Sequence, residues 1–213
     1  ARYKINSSIF DLSVKDKSKK INLLKNINLN LIGSYNVQNA TAAISICLNL
    51  GIDLKIIKKA LKNFSGVQRR MTKIFTKDNN DFYDDYAHHP TEIQSVLSGV
   101  KEVYKDRKII SVFQPHRYSR LKTLKTKFSE SFINSEIVLL CPVYAAGEKK
   151  DKSFNQIAFS KIISKNSKTQ VINIEEKNDL KKYFQRNLLN NEIIIGMGAG
   201  SISQWIRDLK HTL

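Results

Sequence analysis

Lys108-Ile109-Ile110-Ser111-Val112-Phe113-Gln114-Pro115 reads as a strand with no solvent-facing side. Its apolar residues run nearly unbroken and include β-branched side chains, as expected of a strand covered on both faces. Pro115 ends the run and introduces a helical pattern, since proline suits the first turn of a helix but not a central strand. Glu192-Ile193-Ile194-Ile195 repeats the signature near the C-terminus. Reading outward, strand-like runs fall at about 81–86, 108–114, 136–141, 170–174 and 192–196. Helical patterns fall at about 91–104, 118–133, 154–165, 178–189 and 201–211. This alternation predicts an α/β unit with a mostly parallel sheet and helical crossovers. Its ligands belong beyond the carboxyl ends of the strands.

Residues 1 to about 32 follow another rhythm, alternating polar and apolar (Tyr3, Ile5; Ile9, Leu12, Val14; Ile21, Leu23; Ile27, Leu29, Leu31), which predicts an antiparallel β-ribbon. Gly33 ends it. A helical stripe of Val37, Ala40, Ala43, Ile44 and Leu48 follows, stopping at Gly51 and placing Asn36 and Asn39 on one face. Asp53 caps a second short helix carrying Leu54, Ile57 and Leu61. Ser65-Gly66 breaks the pattern, dividing the chain into residues 1–66 and 67–213.

The chain has 213 residues, 41% of them hydrophobic, enough for an ordinary core. Its two cysteines, Cys47 and Cys141, sit inside apolar patterns and read as buried free thiols in a reducing, cytoplasmic setting. The longest apolar run, Ile137 to Ala146, contains a proline and is too short to cross a bilayer. With 36 Lys and Arg against 19 Asp and Glu, the net charge is +17. Such a surplus raises nucleic acid, membrane surfaces and anionic small molecules as partners. No base-stacking sheet or nucleic-acid motif accompanies it, so most of the charge reads as solvated surface.

Two loops carry the chemistry. Asp84-Asp85-Tyr86-Ala87-His88-His89-Pro90-Thr91-Glu92 joins a strand to a helix start, an end that attracts carboxylates and phosphates. Asp85, Tyr86 and His88 read as functional, His89 as a helix cap and Asp84 as a solvated strand end. Adjacent histidines lack the spacing of a helical metal site, so no metal ligation by this chain is expected. Phe113-Gln114-Pro115-His116-Arg117-Tyr118-Ser119-Arg120 is the second loop, where Arg117 and Arg120 lie three apart and can reach one anion. The two loops are expected to leave adjacent strands. Arg69-Arg70 follows the junction glycine and suits phosphate, with one of the pair a surface charge. Gly196-x-Gly198-x-Gly200 departs from the dinucleotide fingerprint, and no G-x-x-x-x-G-K-[ST] loop occurs anywhere.

Gly33-Ser-Tyr-Asn36-Val-Gln-Asn39-Ala-Thr-Ala-Ala, Gly66-Val-Gln-Arg-Arg70, the two loops above, Val143-Tyr-Ala-Ala-Gly-Glu148 and Gly198-Ala-Gly-Ser-Ile202 occur in this order. Together they resemble the C-terminal half of a Mur ligase, with loops like those of the alanine-adding branch, from about residue 2 to the end. The resemblance implies a Rossmann-like C-terminal domain at 67–213, preceded at 1–66 by the ribbon and helices that end the central ATPase domain. It implies ATP as cosubstrate, Mg2+ held mainly by upstream residues, and UDP-N-acetylmuramate and L-alanine as substrates. Upstream domains of the same chain would supply the missing phosphate cradle, and this portion would be inactive without them. Nucleic acid and membrane are not among the implied partners; a nucleic-acid module or an interaction domain are the competing readings.

Position by position, the resemblance assigns Asn36 and Asn39 to the adenine side of ATP, Asp85 to its ribose and Arg70 to its terminal phosphate. Tyr86, His88, His116, Arg117 and Arg120 line the amino-acid site, with Arg70 and His88 as catalytic residues. Two departures stand out: Tyr35 replaces the usual His and Ala87 the usual Gly, the latter asking the backbone to tolerate a methyl group.

Overall fold

The computed structural model describes residues 1–4, 7–15 and 21–213. Ile5, one of the residues expected in the ribbon, lies outside them. The chain divides into two compact units, Ala1–Gly66 with Ser98–Lys105, and Val67–Leu97 with Asp106–Leu213.

In the first unit, strands β1 (Arg2–Lys4), β2 (Ser7–Lys15) and β3 (Ile21–Leu29) form an antiparallel sheet in that order. Alternation, reset by a bulge between Leu24 and Ile27, puts Phe10, Leu24, Ile27 and Leu29 on its buried face, against Ala40 and Ile44 of α1 (Ser34–Asn49) and Ile57 of α2 (Leu54–Asn63). Ala43, expected in the α1 stripe, is exposed. α1 closes with a Schellman pair, Gly51 N–H to Leu48 O and Ile52 N–H to Cys47 O. Asp53 caps α2 by accepting from the Lys55 amide at 2.7 Å.

The second unit holds β4 (Thr72–Lys77), β5 (Asn80–Asp85), the part of α3 (Pro90–Val103) before Ser98, β6 (Lys108–Phe113), α4 (Tyr118–Ser129), β7 (Ile137–Leu140), α5 (Gln156–Ser167), β8 (Gln170–Asn173), α6 (Lys177–Asn187), β9 (Glu192–Met197) and α7 (Ile202–Leu209). The sheet order is β4-β5-β9-β6-β7-β8, parallel except for β4. The fold class is thus α/β with a mostly parallel sheet and flanking helices. Ile110, Val112, Leu139 and Ile194 face a core shared with Leu180 and Phe184 of α6 and Ile202 and Ile206 of α7. Phe113 points the other way and packs on Phe128 and Phe132.

Two expectations need correction. Strand β4 was not anticipated: Thr72-Lys73-Ile74-Phe75-Thr76-Lys77 is a polar-rich edge strand, joined to β5 by Asp78-Asn79, both with positive φ as a type I′ hairpin requires. The loops after β5 and β6 do not leave adjacent strands, because β9, last in sequence, inserts between them. Cys141 is buried, and burial raises its thiol pKa, whereas Cys47 is only half-buried. Among the described residues no helix is long and apolar enough to cross a membrane.

Candidate functional site

Beyond the carboxyl ends of β5, β9 and β6 the ladder continues for one more step. The Gly198 amide donates to Asp85 O at 3.3 Å and the Gln114 amide to Met197 O at 3.0 Å. These bonds fix where each loop departs.

Asp85 is wholly buried. Its Oδ2 accepts from the Met71 amide at 2.8 Å and its Oδ1 from the Ala87 amide at 2.7 Å. Burial nonetheless raises its pKa, opposed by those two amides and the Arg70 charge. The carboxylate therefore ties the Arg70 turn to the Tyr86–Ala87 loop, and no face of it is open to a ligand in this conformation. Ala87 is itself buried, with φ outside the left-handed region, so its methyl group is accommodated. Arg70 is exposed between two left-handed residues, Arg69 (φ 59°) and Met71 (φ 47°).

Asp84 is not a solvated strand end. It is wholly buried, because the last side chains of β5 alternate between two covered faces. Ser203 Oγ donates to its Oδ2 at 2.6 Å and Arg207 Nη2 to the same oxygen at 3.0 Å. His89 does cap α3, its Nδ1 accepting from the Thr91 amide at 3.4 Å, while Glu92 accepts from the His88 and His89 amides.

The loops after β5, β6 and β7 place their rings in one row. Tyr86 meets His88 edge-on at 5.1 Å between centroids, His88 meets His116 at 5.5 Å, and His116 lies nearly parallel to Tyr144 at 5.7 Å. The two imidazoles hold opposite tautomers. His88 Nδ1 lies 2.9 Å from Tyr86 O and 3.4 Å from Glu92 Oε2, both acceptors, so Nδ1 carries a hydrogen and the neutral ring has its lone pair on Nε2. Arg120 Nη1 donates to His116 Nδ1 at 3.2 Å, so there Nε2 carries the hydrogen. Burial, then Arg120, His88 and Arg117, depress the His116 pKa below the ordinary histidine value.

Arg117 and Arg120 are set differently at the start of α4. Arg117 precedes α4 at φ 70°, exposed, its amide donating to Tyr144 O at 2.9 Å. Arg120 lies inside the first turn and is partly buried. Glu148 satisfies the helix start, accepting from the Ser119 amide at 3.1 Å and from its hydroxyl, contacts that lower its pKa.

The turn after β9 packs against Gln114 and Tyr144 by lacking side chains. A Cβ on Gly198 (φ 150°) would lie 2.8 Å from Gln114 O, and one on Gly200 would lie 2.4 Å from Tyr144 Cγ. Gln114, buried, pins the start of α7 by accepting from the Ile202 amide at 3.1 Å. Tyr144, Gln114 and Glu148 were not singled out as site residues, although all three lie in the quoted motifs; only the topology shows that they meet.

In the first unit, Asn36 Nδ2 donates to Ile32 O at 2.8 Å at the start of α1, and Asn39 is exposed one turn on. Tyr35 packs its ring on Gly33, where a Cβ would lie 2.8 Å from Cε1.

Residues 69–200 match the profile of the family described as Mur ligase, glutamate ligase domain. The UDP-N-acetylmuramate--L-alanine ligase of Pelagibacter ubique (strain HTCC1062) is 48% identical over 202 residues, covering 95% of this chain and 44% of that protein. The enzyme of that name from Agrobacterium fabrum (strain C58 / ATCC 33970) is 38% identical over 207 residues, 97% of this chain and 44% of that protein. Among solved structures, UDP-N-acetylmuramate-alanine ligase MurC from Thermotoga maritima aligns with a TM-score of 0.74 at 28% identity, covering 98% of this chain and 43% of that one. The chain thus spans less than half the length of these relatives. On the profile match and on these identities, the chain belongs to the Mur ligase family.

Proposed function

We propose that this chain is the amino-acid-receiving part of an ATP-dependent ligase that joins L-alanine to UDP-N-acetylmuramate through an acyl phosphate, in peptidoglycan precursor synthesis. The observation that carries the reading is the His88–His116 pair, held at the sheet's carboxyl edge in opposite tautomers beside Arg120. A zwitterionic amino acid needs a base for its ammonium and donors for its carboxylate, and this pair offers both. In its neutral form His88 presents an Nε2 lone pair able to take a proton from the amine, the step that makes the amine a nucleophile. His116 Nε2–H and the guanidinium groups of Arg120 and Arg117 are the donors for the carboxylate. Tyr86 and Tyr144 end the ring row on either side. Holding the amine in line with the acyl phosphate supplies the rate advantage of orientation.

Residues 1–66 complete the central ATPase domain in this reading, and 67–213 form the C-terminal domain. Arg70 reaches the terminal phosphate, where its positive charge offsets that of the transferring phosphoryl group. Asn36 and Asn39 take the adenine side. Asp85 serves the ribose only after its turn opens; as found, it holds the turn that presents Arg70. Mg2+ is assigned mainly to upstream residues in this reading, and no step here passes through it. The free thiols support a cytoplasmic setting.

The test joins this chain to its upstream domains and follows phosphate release. Release dependent on both L-alanine and UDP-N-acetylmuramate, with glycine and L-serine poorer, is expected, since a small methyl pocket discriminates by only about 1–3 kcal/mol. The chain alone is expected to show no alanine-dependent ATP hydrolysis. Release indifferent to the amino acid in the joined protein overturns the reading.

A further inference from the structure

Arg69 precedes the exposed Arg70 and is held in a different manner. Its Nη2 donates to the Gly198 carbonyl at 2.5 Å, and its guanidinium lies 4.8 Å from the centroid of the Tyr86 ring. Its backbone is fixed from both sides: the Arg69 amide donates to Thr72 Oγ1 at 2.9 Å, and Arg69 O accepts from the Tyr86 amide at 2.7 Å. Behind it stands Asp84, wholly buried, with Oδ1 3.6 Å from Arg69 Nε. Neither of those two atoms has a hydrogen-bond partner, although Ser203 and Arg207 hold the other oxygen of Asp84.

Three facts argue that this arrangement does more than stabilise. A left-handed backbone at a non-glycine residue persists only where surrounding contacts hold it, and Arg69 has φ 59°. A guanidinium held over the face of an aromatic ring restricts how that ring can tilt, and Tyr86 opens the ring row at the amino-acid site. A buried carboxylate oxygen without a donor is costly, and an arginine Nε 3.6 Å away would satisfy it after a shift of a few tenths of an ångström.

We propose that Arg69 is a positioning residue: clamped between the Gly198 carbonyl, the buried Asp84 and the Tyr86 ring, it sets the plane of the Tyr86–His88–His116 row and fixes the turn that presents Arg70. One side chain thereby links the phosphate-facing arginine to the amino-acid site. The link to alanine rests on the function proposed above; the mechanical link from Arg69 to the rings does not.

The experiment uses the complete ligase carrying Arg69→Lys, Arg69→Met and Asp84→Asn, with Arg120→Ala as the reference for the amino-acid site. Steady-state kinetics give KM for L-alanine and for ATP, and labelled His and Tyr rings report the Tyr86–His88 contact by nuclear Overhauser effects. Arg69→Met is expected to weaken that contact and to raise KM for L-alanine roughly five- to tenfold, well above its effect on KM for ATP. Arg69→Lys, which keeps a charge for Asp84 and a donor for Gly198 but no plane for Tyr86, should recover thermal stability without recovering the alanine KM. Asp84→Asn should fall between them. An intact ring contact and unchanged alanine KM in Arg69→Met overturn the proposal, as does full recovery of both by Arg69→Lys. Loss of the ring contact in Arg69→Met, with Arg120→Ala leaving alanine use unaffected, upholds the clamp and overturns the alanine site instead.

Discussion

Arg120 donates from Nη1 to Nδ1 of His116 across 3.2 Å, so the arginine sets the tautomer of the histidine four residues before it. The first consequence is a titration. His116 is held below the ordinary histidine pKa by burial first and Arg120 second. Its NMR midpoint should lie below about 6.5, the unperturbed value, and Arg120→Ala should move it upward. Folding disfavours the charged ring. The stability linked to His116 is therefore fully present above about pH 6.5 and is lost as pH falls through the lower folded midpoint. A midpoint that Arg120→Ala leaves in place would remove the arginine from this role.

Asp85→Ala strips the acceptor from two amides, those of Met71 and Ala87. Each orphaned amide costs about 1–3 kcal/mol, so thermal denaturation should show a marked loss. Asp85→Asn keeps one acceptor oxygen and should lose roughly half as much. Because burial raises the folded pKa of Asp85, its contribution is fully present below the ordinary carboxylate pKa and is lost as pH rises through the folded value. Asp85→Asn should flatten that limb of the stability profile. In the complete ligase KM for ATP should rise more than KM for L-alanine, since the Arg70 turn is released.

Gly200→Ala places a methyl group 2.4 Å from Tyr144 Cγ and 2.6 Å from Gln114 Oε1. Overpacking of this kind costs about 1–3 kcal/mol, and here it must push Tyr144 off His116. A melting curve and the loss of Tyr144–His116 ring contacts check this; an unchanged contact would show that the turn yields instead.

Much of this was legible in the sequence because parallel strands covered on both faces leave an apolar signature. Ile109–Phe113 and Glu192–Ile195 carry it plainly. β4 was not, since an edge strand keeps one side in water and Thr72–Lys77 lacks a clean apolar alternation. Strand order was not legible either: nothing in Ile193-Ile194-Ile195 says that it inserts between β5 and β6. That insertion sets Gly198 against Gln114 and Gly200 against Tyr144. Asp84 and Asp85, adjacent and chemically alike, separate only in three dimensions, one facing Arg69, Ser203 and Arg207, the other closing two backbone turns.

The central claim, that His88 and Arg120 serve one small zwitterion, is tested most directly by a double-mutant cycle in the complete ligase. His88→Ala and Arg120→Ala are each expected to lower kcat/KM for L-alanine roughly ten- to a hundredfold, as loss of a charge-assisted contact should. KM for ATP should change little in either. The double mutant should lose less than the sum of the two free energies, because the side chains meet through His116. Strictly additive losses, or losses confined to ATP, would place the two residues at separate sites and contradict the account.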